Sequence, residues 1–186
     1  MSDAPNIVLA GPMGSGKTAV ARLLANWTNR QFVDTDTLIA TATGKEVADI
    51  FADDGEAAFR ALESDAVEAV CERTGLIVAV GGGTVVDPAN TARLRETCRV
   101  IVLDATPEAL ARRVEGGRRT GTRPLLAGTD DVAGRLATLK EERADAYAGA
   151  AHATFDTTDQ PLEVVAAAVL AWVEEQEAAD RGGVTS

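Results

Sequence analysis

The stretch IVLAGPMGSGKTAVARLL, residues 7–24, decides how the rest of the chain is read. An apolar run, Ile7–Ala10, leads into Gly11-Pro12-Met13-Gly14-Ser15-Gly16-Lys17-Thr18, and a helical pattern follows. The order is strand, glycine-rich loop, helix. The loop matches G-x-x-x-x-G-K-[ST], in which backbone N–H groups cradle phosphates, a lysine reaches the β- and γ-phosphates, and a hydroxyl faces Mg²⁺. The helix N-terminus adds its dipole to the same site. A plain glycine turn would not explain Lys17-Thr18 opening a helix. The pattern predicts nucleotide binding and leaves the phosphate acceptor open.

Working outward, short apolar runs alternate with helical patterns. Strands are expected at Asn6–Ala10, Gln31–Val33, Leu76–Val80, Arg99–Leu103 and His152–Phe155. Helices are expected at Lys17–Trp27, Asp36–Ala42, Val47–Asp53, Glu56–Thr74, Pro88–Glu96, Pro107–Glu115, Val132–Ala148 and Pro161–Ala178. Asp87-Pro88 and Thr106-Pro107 put a capping residue before a first-turn proline. The alternation predicts an α/β fold, a parallel sheet with helices on both faces. The 186 residues suit one domain, 1–186. Gly116–Asp131, rich in glycine and holding Arg118, Arg119 and Arg123, reads as a lid over about 116–128, and 179–186 as a loose tail.

The net charge of −11 argues against a nucleic-acid partner. No apolar run is long enough to span a bilayer, and the N-terminus lacks a basic leader, so a cytoplasmic protein is expected. Cys71 and Cys98 lie in different segments without ligand spacing and read as small core residues; His152 reads as structural. A monomer is expected, since no long exposed apolar stripe is evident. If the ligands are anions, the 18 Lys and Arg residues of this acidic chain must supply a local positive cluster.

Two further segments end where an open parallel sheet binds ligands, beyond its strands' carboxyl ends, and a helical segment lies between them. Phe32-Val33-Asp34-Thr35-Asp36 supplies two carboxylates, which extended alternation would put on one side. Either could hold hydrated Mg²⁺ or accept a hydroxyl proton, and Asp34 or Thr35 could equally be a helix N-cap. Phe59-Arg60-Ala61-Leu62-Glu63 spaces Arg60 and Glu63 to pair along a helix, a spacing usual for solvated surface pairs. Gly81-Gly82-Gly83 requires a close approach to the backbone, and its place favours a ligand.

Together with Arg123-Pro124-Leu125-Leu126, these segments resemble the shikimate kinase family in order and spacing from about Asn6 to Trp172. The resemblance implies a kinase of the nucleoside monophosphate kinase type, with a five-stranded parallel sheet of order 2-3-1-4-5. It implies transfer of the γ-phosphoryl of ATP to the 3-hydroxyl of shikimate, on the route to chorismate and the aromatic amino acids. By the same resemblance the shikimate-binding segment is about 34–63. Asp36 contacts ring hydroxyls and takes the proton of the attacking one. Arg60 and Arg143 bind the acceptor's carboxylate, and the backbone of Gly82 meets a ring hydroxyl. Gly14, Ser15, Gly16, Lys17, Thr18 and Ala19 hold the ATP phosphates, Arg123 closes on them, and Thr18 and Asp34 serve Mg²⁺. Arg143 stands in Arg143-x-x-x-Tyr147, similar to the family's R-x-x-x-Y. Phe155–Pro161 resembles the loop bordering adenine, where Gln160 stands near a position that carries arginine in some relatives. Arg112, Arg113, Arg118 and Arg119 compete to stack on the base; Arg113 is preferred, against simple solvation of a helix surface. Val80 and Ala40 depart from the family's usual residues, away from the transferred phosphate. The alternatives are another small-molecule kinase of this fold, such as gluconate kinase, a nucleoside monophosphate kinase, or a nucleotide-binding regulator without phosphotransfer.

Overall fold

The structure is a computed structural model that describes residues 4–116, 126 and 131–182. Strands β1 (Asn6–Ala10), β2 (Gln31–Asp34), β3 (Leu76–Ala79), β4 (Cys98–Asp104) and β5 (Ala153–Asp156) form a sheet of order β2-β3-β1-β4-β5. Every pairing is parallel. The expected order 2-3-1-4-5 is observed. β1 is central, so the phosphate loop leaves the sheet where the connections diverge to either side, the usual place for a ligand crevice.

Helices α1 (Lys17–Thr28), α2 (Thr35–Thr43), α3 (Val47–Asp53), α4 (Gly55–Cys71), α5 (Pro88–Thr97), α6 (Pro107–Gly116), α7 (Val132–Glu142), α8 (Ala144–Ala150) and α9 (Leu162–Gly182) complete the described residues, with a 3-10 turn at Thr84–Val86. Alternate strand residues serve opposite faces. Val8, Val78 and Val100 pack with Val67 and Val70 of α4 and Leu94 of α5. Ile7, Leu9, Ile77 and Ile101 pack with Val20 and Leu24 of α1 and Val169 of α9. Both sheet faces are therefore dry, and the strands read as unbroken apolar runs for that reason.

Two local expectations change. The helix expected over Val132–Ala148 is two helices, broken at Arg143 (φ −108°, ψ 2°), which ends α7 and precedes α8. Two donors from this corner, the Arg143 guanidinium and the Tyr147 hydroxyl, reach the Gly82 carbonyl, and the kink allows both. The tail expected to be loose from about 179 is helical to Gly182, and Asp180 on that turn pairs with Arg99 at 2.6 Å. Residues 183–186, and with them the end of the tail, lie outside the described residues. Cys71 and Cys98, distant in sequence, meet in one core cluster as free thiols. No helix among the described residues is long and apolar enough to cross a membrane.

Candidate active site

The phosphate loop turns into α1 through Gly16, whose φ of 94° is left-handed and costly for any residue with a Cβ. Lys17 then opens the helix and folds its Nζ back over the loop, donating to the carbonyls of Gly11 (2.8 Å) and Pro12 (2.9 Å). The ammonium is thereby stationed at the loop's mouth. Ser15 is buried, and its Oγ has no hydrogen-bond partner among the described residues. Gly14, Gly16, Lys17, Thr18 and Ala19 all line a cavity of about 940 Å³.

Asp34 does both things its sequence position allows. Its Oδ1 caps α2, accepting from the N–H groups of Asp36 (3.1 Å) and Thr37 (3.3 Å). Its Oδ2 accepts from Thr18 Oγ1 at 3.2 Å. Because Asp34 ends the strand and Thr35 begins the helix, the two aspartates are neighbours through the cap and not through strand alternation. Thr18 and Asp34 form an all-oxygen pair beside the phosphate loop. Such a donor set fits Mg²⁺, which keeps several waters and takes one or two protein oxygens together with substrate phosphates.

Asp36 lines the same cavity. Burial, and then the charges of Asp34 and Glu63, push its carboxyl up to about 6, against the pull of Lys17 and Arg60. A carboxylate near 6 is mostly ionised at neutral pH and still basic enough to take a proton.

The Arg60–Glu63 spacing turns out to be no ordinary solvated pair. Glu63 is 2% exposed, ion-paired to Arg60 through Oε2 and hydrogen-bonded through Oε1 to Thr84 Oγ1 at 2.7 Å. Arg60 also reaches Glu56 Oε1 at 3.0 Å and is partly exposed to the cavity. The glycine triplet is explained by these side chains as much as by a ligand. A Cβ on Gly81 would stand 2.5 Å from Glu63 Oε1, and one on Gly83 would stand 2.8 Å from Arg60 Cζ. Gly82 is held from the other side. Its carbonyl accepts from Arg143 Nη1 at 3.0 Å and from the Tyr147 hydroxyl at 2.6 Å. That carbonyl is thus already engaged, which leaves the Gly82 N–H as its polar group for a ligand.

Lys17, Arg60, Arg113 and Arg143 all line the one cavity, with Asp34 and Asp36. Basic groups from the start of α1, α4, α6 and the α7–α8 corner converge there despite the acidic whole. Phe51 and Phe59, whose ring centroids are 4.7 Å apart, give it an apolar wall. Arg113 is not a solvated helix residue. It hydrogen-bonds Gly14 O (3.3 Å) and Thr157 Oγ1 (2.9 Å), tying the phosphate loop to the loop after β5. Arg112 instead pairs with Asp159 at the surface (2.8 Å). Gln160, in the same loop, is exposed and is not among the residues lining the cavity. Val80 and Ala40 both border the cavity. Arg118, Arg119, Arg123 and nearly all of the expected lid lie outside the described residues. Thr84 and Tyr147 are the site-shaping residues that sequence reasoning did not assign a role; Tyr147 was visible within the R-x-x-x-Y pattern, whereas Thr84 follows the glycines with no signal of its own.

Comparison with known proteins agrees with this geometry. The profile of the family described as shikimate kinase matches residues 13–174. The chain is 45% identical over 171 residues to the shikimate kinase of Symbiobacterium thermophilum, covering 92% of this chain and 97% of that protein. It is 40% identical over 174 residues to that of Geobacter metallireducens, covering 93% and 94%. The structure of shikimate kinase from Acinetobacter baumannii in complex with shikimate superposes with a TM-score of 0.87 at 32% identity, over 93% of this chain and 94% of that one. A gluconokinase from Sinorhizobium meliloti shares only the fold, with a TM-score of 0.61 at 17% identity over the whole of both chains. Motif order, sheet order and these likenesses lead to one conclusion: the chain belongs to the shikimate kinase family.

Proposed function

We propose that this chain is an ATP-dependent shikimate kinase that moves the γ-phosphoryl of ATP onto the 3-hydroxyl of shikimate, giving 3-phosphoshikimate and ADP. The observation that carries the reading is the convergence of a phosphate loop, a basic carboxylate and two arginines on one cavity. The phosphate loop serves any nucleotide; Arg60 and Arg143 suit an acceptor bearing a carboxylate, because planar guanidinium groups grip carboxylates in a fixed geometry.

In this reading the triphosphate lies along Gly14–Ala19, and Lys17 exchanges its carbonyl partners for phosphate oxygens. Thr18 and Asp34 would hold Mg²⁺, which when bound supplies positive charge against the phosphates. Arg60 and Arg143 fix the acceptor ring through its carboxylate, and the Gly82 N–H meets a ring hydroxyl. Asp36 accepts the proton of the attacking hydroxyl as its oxygen bonds to the γ-phosphorus. The bond from that phosphorus to the β–γ bridging oxygen breaks, and ADP leaves. Lys17 and Arg123 stabilise charge on the moving phosphoryl, and closure of the lid excludes water that would waste ATP. Arg113 fixes the loop beside adenine, with Gln160 at its rim. The protein acts as a single-domain monomer in the cytoplasm.

The test is ADP release with ATP and Mg²⁺, comparing shikimate, gluconate, nucleoside monophosphates and no acceptor. Turnover confined to shikimate is expected. Turnover with another acceptor would overturn the acceptor half and keep the phosphate-loop half; ATP binding without turnover on any acceptor would favour a regulatory protein.

A further inference from the structure

The pair that frames the acceptor side of the cavity has an unusual balance of donors. Glu63 is 2% exposed and, as a carboxylate, can only accept. Its Oε2 takes Arg60 Nη1, and its Oε1 takes the hydroxyl of Thr84 at 2.7 Å. Arg60 spends Nε and Nη2 on Glu56, at 3.3 and 3.0 Å. Thr84 is itself 1% exposed and anchored at both backbone ends. Its N–H donates to Gly81 O at 3.2 Å, and its carbonyl accepts from Asn90 Nδ2 at 3.3 Å. The hydroxyl is therefore aimed from a fixed turn at one oxygen of one carboxylate.

An arginine beside a carboxylate with both oxygens available tends toward the two-pronged fork, the strongest geometry for that pair. Here the Thr84 hydroxyl holds the Glu63 carboxylate turned so that Oε1 faces Thr84 and Oε2 faces Arg60, and Glu63 holds Arg60 by a single prong. The single prong leaves guanidinium N–H capacity to face the cavity that Arg60 lines. We infer that Thr84 is a positioning residue for the acceptor site: by fixing Glu63 Oε1 it turns Oε2 alone toward Arg60, and so holds that arginine where its remaining N–H groups face a carboxylate on the acceptor. The inference rests on the proposed role of Arg60.

It predicts a signature that general loosening of the site would not produce. Thr84→Val keeps the volume and removes the donor. Its KM should rise about tenfold for shikimate, the scale of a lost charge-assisted hydrogen bond, with KM for ATP unchanged. The carboxamide analogue of shikimate, which presents no carboxylate, should bind wild type and Thr84→Val equally well. Thr84→Ser restores the donor and should return KM for shikimate to the wild-type value. Thr84→Ala repeats the comparison should the valine variant fail to fold. Equal losses for acid and amide, or a Thr84→Val enzyme that still prefers the acid as wild type does, would overturn the inference alone. A wild-type enzyme indifferent to the carboxylate would overturn the role of Arg60 and the inference with it.

Discussion

Replacing Asp36 by asparagine should make this protein more stable while it removes the chemistry. The carboxyl is held at about 6 in the folded chain, against 3.8 for the free group, first by burial and then by Asp34 and Glu63. Raising the value means that the native state prefers the protonated form. Stability is thus greatest below the unfolded value, and it is lost as pH rises through about 6. Linkage alone would give about 3 kcal/mol at pH 7, but the Asp36 side chain is exposed to the open cavity and water screens the charges around it, so the cost of keeping it ionised is about 1–2 kcal/mol at pH 7 and about half that at pH 5. Asparagine cannot ionise and escapes this cost, although it gives up the favourable place of a negative charge in the first turn of α2, worth less than about 1 kcal/mol. The net gain of about 1 kcal/mol corresponds to a rise in Tm of roughly 2–4 °C for a domain of this size. Urea or thermal unfolding of both proteins at pH 5 and pH 7.5 measures the gap and its pH dependence. In parallel, coupled ADP release should fall by about 10²–10⁴-fold with ATP binding retained, the usual worth of a general base. A variant less stable than wild type at pH 7.5, or a stability gap indifferent to pH, would refute the electrostatic account of Asp36. Near-normal turnover would refute its role as the base.

Lys17→Met should lower kcat by about 10²-fold or more, because the ammonium at the loop's mouth is asked to stabilise charge in the transition state; single-turnover assays read this directly. Gly83→Ala places a methyl against the Arg60 guanidinium and should raise KM for shikimate with little change in KM for ATP, checked by steady-state kinetics on both substrates. Cys71 is half-buried and the neighbouring Cys98, with Thr97, holds its thiol below the usual range, while Cys98 is buried and is pushed up by that neighbour and by burial. Iodoacetamide at pH 7 should therefore label Cys71 ahead of Cys98 in the folded protein, and peptide mass spectrometry after brief labelling would reveal the order.

Much of the site was legible because its parts are local. A phosphate loop is a contiguous backbone shape, and Gly11–Thr18 carries the whole of it in eight consecutive positions. The strand runs were readable because both faces of the sheet are dry, and β1 falls on the expected Asn6–Ala10. The kink at Arg143 was not readable. Apolar spacing continues across it, and its partner, the Gly82 carbonyl, lies 61 residues away. The glycine triplet showed that something approaches the backbone but not what: part of the answer is Glu63 and Arg60. Arg60 and Glu63 themselves illustrate the limit best. Their spacing is that of any surface pair, and only the packing of α4 against the turn at Thr84 buries one partner and leaves the other facing a cavity.

What the sequence determined by itself is the set of short-range geometries: which runs are strands, where a helix begins at Lys17, and that phosphates belong there. Those follow from chain stereochemistry and from period-2 and period-3.6 burial, both acting within a few residues. The tertiary structure alone decided the values that chemistry depends on. The Asp36 carboxyl is raised to about 6 by its burial, by Asp34, which caps the helix beside it, and by Glu63, which comes in from α4. Desolvation and charge–charge interaction act through space, so residues remote along the chain set them, and no local pattern records their sum.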